Sequence, residues 1–401
     1  MKRKLKDSVV VITGASSGIG RAAAMDFARR GASLVLASRS QEQLDALASD
    51  CRRFGAEVLA LATDVSQIEE VEHLAKKAIE EFEHIDVWVN NAGVTLFGRI
   101  DEVPYKDYRK VIETNLLGYI HGARAVIPHF REQGHGVLIN NSSMIGKVGS
   151  PYLSAYVVSK FGIVGLSESL RQELRDSPGI KVCTVLPASI DTPLFQHAAN
   201  YTGRSIKPLS PIYDADMVAQ EIVRLSRHPE REVYVGESGL MMGIMRQLLP
   251  GIAEKMIARQ VEKDHFTDSP AENSSGNLYE PKPQWSGSSG QWRELESKRH
   301  FGQTLAVALP WLAVGVAAWM FYKRKELSLP DLRKEAQDLR HTAQDLWDKG
   351  SPRLKLISQE AQERLSETAS KSWSKAKPRL KHLSEDMIAS SQNLRKTVAR
   401  R

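Results

Sequence analysis

From Ser8 to about Gly236, short β-branched apolar runs alternate with longer stretches whose apolar positions recur every three or four residues. SVVVIT is followed by RAAAMDFARR, and SLVLAS by the helical pattern of Gln41–Phe54. Further apolar runs stand at Glu57–Ala62, Asp86–Asn90, Gly136–Asn141, Ile180–Leu186 and Glu232–Val235, with room between them for crossover helices. A strand is apolar on both faces when helices cover both sides of its sheet. The pattern therefore predicts βαβ units and an α/β fold with a doubly wound parallel sheet, occupying residues 1–240.

Beyond that domain the pattern changes several times. Residues 241–267 form a Met- and Leu-rich amphipathic extension that suits a helix capping the fold, lining a substrate entrance or lying on a membrane, core packing being the commonest use. Ser, Gly and Pro crowd residues 268–300, a linker composition. Residues 301–322, FGQTLAVALPWLAVGVAAWMFY, carry no charge. At about 1.5 Å per residue such a helix spans roughly 33 Å, enough for a bilayer core, so a transmembrane helix is expected, with a buried hairpin or re-entrant segment as the alternative. Trp319, Tyr322 and Lys323–Arg324–Lys325 suit interfacial anchoring, and Pro310 implies a kink. Residues 323–401 repeat apolar positions at Leu332, Ala336, Leu339, Ala343 and Leu346, an amphipathic helical tail suited to anionic lipid, to another helix or to solvent.

Charge and cysteine content narrow the picture. The tail holds 19 Lys and Arg against 11 Asp and Glu, a surplus of eight, while the whole chain stands at +7. The basic balance thus belongs to the tail, and nothing marks the catalytic part as a nucleic-acid binder. Cys51 and Cys183 are far apart and lack a close thiol or histidine, which argues for reduced structural residues and against a metal site. The basic start and the short apolar run to Thr13 lack the cleavage site of a signal peptide.

The candidate chemistry lies at the ends of the expected strands. Gly14-Ala15-Ser16-Ser17-Gly18-Ile19-Gly20 places a glycine-rich turn at a helix N-terminus, where free amides and the helix dipole favour a pyrophosphate. Its spacing is neither G-x-G-x-x-G nor an ATP-binding P-loop. About twenty residues on, an acidic residue would suit the ribose hydroxyl of NAD. Arg39 with Ser38 and Ser40 suits the 2′-phosphate of NADP instead, unless Arg39 is simply a solvated surface arginine. Tyr156 and Lys160 lie four apart on an expected helix and so share one face. A nearby ammonium favours the phenolate of a tyrosine whose ordinary pKa is near 10.

Taken together, TGASSGIG, Asn90-Asn91-Ala92-Gly93, the ordered set Asn115, Ser143, Tyr156 and Lys160, and Leu186–Thr192 resemble the short-chain dehydrogenase/reductase family over about residues 5–240. The resemblance implies a Rossmann-type fold and assigns roles by position. Tyr156 would be the general acid in reduction and the base in oxidation. Lys160 would lower its pKa and hold the nicotinamide ribose, Ser143 would bond the substrate oxygen, and Asn115 would support a proton relay. Gly14, Ser16, Ser17, Gly18, Ile19, Gly20, Arg39, Ser40, Asp64, Val65, Asn91, Ala92, Gly93 and Thr192 fall where the family contacts its cofactor. Two departures stand out: Pro187-Ala188 replaces the usual Pro-Gly, and Ser17 occupies a place that is basic in many NADP-specific members.

The reading that results is an enzyme transferring hydride between NADP(H) and an apolar carbonyl or secondary alcohol, without a metal. Membrane lipid and a second copy of the chain are its expected partners, on a single-pass membrane protein whose catalytic domain faces the cytoplasm. Leu194–Pro211 reads as a loop over the active site. The competing readings are a catalytically silent NADP(H) sensor and a membrane scaffold acting through the basic tail.

Overall fold

A computed structural model describes residues 5–237, 250–282 and 284–297. The expected transmembrane helix at 301–322 and the tail at 323–401 lie outside the described residues. Among those that are described, no helix is long and apolar enough to cross a membrane.

The strands are β1 Val9–Thr13, β2 Ser33–Ser38, β3 Val58–Ala62, β4 Val87–Asn90, β5 Leu96–Phe97, β6 Gly136–Asn141, β7 Ile180–Pro187, β8 Ile190–Asp191, β9 Ala199–Asn200, β10 Arg204–Ile206, β11 Tyr213–Asp214, β12 Glu232–Val235 and β13 Phe266–Pro270. Seven of them form one sheet in the order β12-β7-β6-β4-β1-β2-β3. Every neighbouring pair in that sheet is parallel. The seven are the apolar runs singled out in the sequence.

Helices α1 Gly18–Arg29, α2 Gln41–Arg52 and α8 Ala215–Arg227 cover one face. On the other lie α3 Ile68–Phe82, α5 Gly118–Gln133 and the end of α6 Ser154–Glu173, with α4 Tyr105–Ile112 packed on α6. The alternation along β1 explains why its whole run is apolar: Val10 and Ile12 enter the first core, Val9 and Val11 the second. All four are buried. Chain direction reverses its outward progress between β1 and β4. The crevice at the carboxyl ends of these strands is where an open α/β sheet binds its ligand.

Two segments differ from their sequence reading. Leu194–Pro211 is not a bare loop: it contains the short helix α7 Leu194–His197, with β9 paired to β5 and β10 to β13. The stretch 268–300, linker-like in composition, touches the domain at several points within its described residues. Leu278 is fully buried among Val94, Leu96, Val111, Ala155 and Ala199, and a short helix, here α10, covers Trp292–Ser297. Small polar residues served here because the segment passes close to other backbone. At Gly276, with φ +56°, a Cβ would collide with the main chain of His197–Ala199.

In the amphipathic extension, helix α9 Pro250–Asp264 buries Ala253, Ile257 and Val261. Ile257 and Val261 pack with Phe97, Val148 and Leu153, so this part of the extension takes the core-packing role and at the same time borders the cavity described below.

Phe27 of α1 has no exposed surface, whereas Tyr105 at the start of α4 is 79% exposed. Phe27→Ala should lower unfolding free energy by about 3–5 kcal/mol and Tyr105→Ala by no more than about 0.5 kcal/mol. Urea denaturation of the two variants beside the wild type checks the difference.

Candidate active site

One cavity of about 1140 Å³ follows the carboxyl edge of the sheet from the end of β2 to α6, slightly above the roughly 300–1,000 Å³ usual for ligand pockets. Its floor begins at the turn into α1. Gly14 has φ +65°, and a Cβ there would stand 2.6 Å from Cα of Ala92, so only bare backbone fits. Ser17 caps α1 in extended geometry without a side-chain cap bond. Of the first-turn amides, that of Gly18 donates to Gly287 O at 2.9 Å, which leaves those of Ile19 and Gly20 for an anion. Ser16, Ser17, Gly18 and Ile19 all line the cavity, but Gly20 does not. Instead, Gly20 lies flat against the carbonyl of Gly14, where a side chain would push the turn off the helix.

At the far end stand Arg39, Ser40, Asp64 and Val65. Asp64 accepts from Ser66 N at 2.9 Å, Ser66 Oγ at 2.8 Å and Lys110 Nζ at 3.3 Å. Burial pulls its pKa upward, and these partners outweigh the burial and hold it below the ordinary value. Arg39 lines the cavity and is partly engaged within the protein. Two of its N–H groups donate to carbonyls of the C-terminal segment, Nη2 to Asn277 at 2.6 Å and Nη1 to Leu278 at 2.9 Å.

Asn91, Ala92 and Gly93 continue the wall beyond β4. The Asn91 amide donates to Thr13 O at 3.0 Å and Gly14 O at 3.1 Å, which ties the end of β4 to the turn after β1. Asn141, at the end of β6, donates to Asn91 Oδ1 at 2.8 Å. Its own carbonyl accepts from Lys160 Nζ at 3.0 Å and Tyr119 Oη at 2.7 Å.

The reacting groups meet beside this row. Ser143 has extended backbone and caps the short turn Met144–Gly146, its Oγ accepting from Ile145 N at 3.3 Å. Tyr156 and Lys160 are one turn apart on α6, with Nζ 5.4 Å from the Tyr156 ring centroid. Burial raises the Tyr156 pKa, and the neighbouring Ser143 hydroxyl works against that rise. Burial also lowers the Lys160 pKa to about 7. The expectation that the lysine charge dominates the tyrosine is therefore opposed by desolvation, Lys160 being buried and Tyr156 partly so.

Asn115 is the exception among the expected catalytic residues. It sits in the π-helical turn Glu113–Leu117, fully buried, and does not line the cavity. Its Oδ1 accepts from Val94 N at 2.8 Å, while Nδ2 donates to Val94 O at 2.9 Å and Ser159 Oγ at 3.2 Å. These bonds make it a positioning residue that ties the backbone just after Gly93 to the turn of α6 that follows Tyr156. Thr192 does line the cavity, and its carbonyl accepts from Trp292 Nε1 at 3.2 Å.

Ser143, Tyr156 and Lys160 at one cavity, beside a glycine turn at the sheet's switch point, match a known architecture. The family model for short chain dehydrogenases fits residues 8–201. The uncharacterized oxidoreductase YxnA of Bacillus subtilis is 34% identical over 272 residues, 67% of this chain and 76% of that protein. The chain belongs to the short chain dehydrogenase family. Among solved structures, a short chain dehydrogenase/reductase from Burkholderia phymatum in complex with NAD superposes with a TM-score of 0.58 and 27% identity, covering 63% of this chain and 97% of the other. An alcohol dehydrogenase from the archaeon Thermococcus sibiricus, complexed with 5-hydroxy-NADP, gives 0.50 and 31% over 57% and 95%. This short chain dehydrogenase is thus an oxidoreductase of a fold that binds a nicotinamide cofactor and acts on small molecules.

The residues fit such a cofactor: the Gly14 turn admits no side chain, the start of α1 has no side-chain cap, and the buried Asn141 Oδ1 has no hydrogen-bond partner among the described residues. Asn141, Asp191 and the whole of the C-terminal segment escaped the sequence reading. Asn141 stood beside recognised Ser142-Ser143 and was a findable signal. The segment's composition carried none.

The lowered Lys160 pKa has a consequence for stability. The ammonium is disfavoured by burial, so the cost is fully present below pH about 7 and is relieved as pH rises towards the unfolded value of about 10.4. Lys160→Met should therefore raise the melting temperature at pH 6 by more than it does at pH 9.5. Equal shifts at the two pH values would contradict the burial account.

Proposed function

We propose that this enzyme reduces apolar ketones or aldehydes with NADPH, using Tyr156 as the proton donor. The observation that carries the reading is the Ser143–Tyr156 hydroxyl pair standing where the cofactor cleft opens into a chamber walled by Phe97, Ile145, Val148, Leu153, Phe195 and Ile257. The nicotinamide supplies the hydride when bound. Ser143 and Tyr156 offer two donors to one substrate oxygen, and the geometry requires no charged side chain there. A phenol whose pKa is raised by burial keeps its proton at neutral pH, so Tyr156 holds a proton for the substrate oxygen. Lys160 stands behind the ring, its Nζ held by the Asn141 carbonyl at 3.0 Å and 5.4 Å from the ring centroid, where a positive charge would favour the phenolate left after proton donation. His265 borders the chamber, and burial lowers its pKa to about 4, so it is neutral and adds no charge.

NADP is favoured over NAD by Arg39, whose guanidinium has five N–H donors and uses two of them on Asn277 and Leu278. No acidic side chain follows β2, where Ser38, Arg39 and Ser40 stand. The apolar run at 301–322 and the basic residues after it support a single-pass membrane tether with the catalytic domain on the cytoplasmic side, where membrane-dissolved carbonyl compounds reach the chamber. Assembly with a second copy, common in this family, is part of the same proposal.

Single-turnover oxidation of NADPH by the full chain, with a panel of apolar ketones and aldehydes, tests the chemistry. Turnover should fall by about 10²–10⁴ in Tyr156→Phe; oxidation that survives this change removes Tyr156 from the proposed role. Arg39→Ala should weaken NADPH binding by about tenfold or more, in keeping with the loss of a charge-assisted hydrogen bond, while leaving NADH binding within about twofold. Titration of cofactor fluorescence reads both constants, and equal losses for the two cofactors would count against a 2′-phosphate contact.

A further inference from the structure

The C-terminal segment does more than pack on the domain. It runs along the outer side of the cofactor cleft and touches it at three places. At the ribose end, Asn277 and Leu278 accept from Arg39, and Asn277 N donates to His197 O at 2.8 Å. Over the phosphate turn, Gly287 O accepts from Gly18 N at 2.9 Å. At the nicotinamide end, Asp191 receives Ser289 Oγ at 2.7 Å, Gly290 N at 3.1 Å and Trp292 N at 2.9 Å. The Trp292 indole bonds Thr192 O at 3.2 Å and Gln196 Oε1 at 3.1 Å, and Gln196 Nε2 returns a bond to Gly290 O at 2.7 Å.

These contacts form a wall and not a plug. With the segment in place the cavity still measures about 1140 Å³, and it is bordered both by Asn277, Lys282 and Trp292 and by Ser16, Asp64 and Tyr156 on the opposite side. Asp191 is buried, and the segment provides each of the three hydrogen bonds just described. Because buried carboxylates need such donors, the nicotinamide end of the cleft is built to have the segment present. The charge layout agrees: Arg39 and Lys282 both act electrostatically on His197, so two cations from opposite walls converge on the ribose end.

We propose that Asn277–Lys282 and Gln284–Trp292 are a cofactor-binding strap, which closes the outer side of the dinucleotide site and sets how long the cofactor stays. The strap is held at one end by Arg39 and at the other by Asp191 and Thr192. Entry and departure of the dinucleotide need one of these anchors to open. The proposal rests on the nicotinamide-cofactor reading above but not on which substrate is reduced.

The test uses the full chain, with NADPH and NADH each as probe and no substrate. Hydrogen exchange of the wild type should show amide protection across 277–282 and 284–292 rising at least about tenfold on cofactor addition. Stopped-flow fluorescence should show dissociation of the bound cofactor accelerated about tenfold in Trp292→Ala and about fivefold in Ser289→Ala, since binding differences fall mainly on the off-rate. Ser289→Ala removes a single oxygen and keeps the question answerable where Trp292→Ala unfolds. Unchanged protection together with wild-type release overturns the strap while leaving cofactor binding intact. Slower release from the variants overturns it as well, because the segment would then be a competitor for the cleft. Failure of the wild type to bind either dinucleotide would overturn the cofactor reading and the strap with it.

Discussion

The site depends on a row of side-chain amides stitched across the carboxyl ends of the central strands. Asn91 holds the carbonyls of Thr13 and Gly14, Asn141 holds Asn91, and the Asn141 carbonyl holds Lys160. One row beneath, Asn90 donates to Asn140 Oδ1 at 3.0 Å, and Asn140 donates to Ser167 of α6 at 2.9 Å. Parallel strands end with their carbonyls and amides reaching into the crevice, and buried polar groups must find partners. The amides satisfy them and so fix the phosphate turn, the β4 wall and the catalytic helix relative to one another. Through them the placement of Tyr156 depends on the placement of Gly14.

Burial sets the chemistry of the pair on α6. Lys160 is buried against the Tyr119 ring and Tyr156 is partly buried at the edge of the chamber, and desolvation pushes each towards its neutral form. A charge arriving in this enclosure interacts more strongly than it would in water. The same enclosure lets two hydroxyls steer a carbonyl oxygen. Asn115 contributes from behind by bridging Val94 and Ser159, and the π-helical turn that carries it places the extra backbone residue where α4 becomes α5.

The C-terminal segment reaches this arrangement from the outside. Its Ser, Gly and Pro content permits close passage over His197–Ala199 at Gly276 and dense hydrogen bonding through backbone groups, as at Gly287, Gly290 and Trp292. Backbone groups are common to all residues and leave no mark in composition. A segment that binds through them looks like a linker until its partners are known. Arg39 shows the other half of the same problem: its identity announced a polar partner, but the carbonyls of Asn277 and Leu278 lie more than two hundred residues away in the chain.

The amino-acid sequence by itself determined the seven sheet strands, the helices between them and the residues gathered at the strand ends. The reason is local: apolar runs such as SVVVIT and SLVLAS carry their burial on both faces, and Gly14, Ser143, Tyr156 and Lys160 sit at fixed short offsets from element ends. Which residues look into the cleft was decided only by tertiary structure. Asn115 and Gly20 turn out to pack behind the cavity surface, Asn141 to join Asn91 and the turn after β1 to Lys160, and Asn277, Lys282 and Trp292 to border the cavity. Those outcomes depend on hydrogen bonds between positions far apart in the chain, whose partners are chosen by the packed geometry and not by any pattern within either segment.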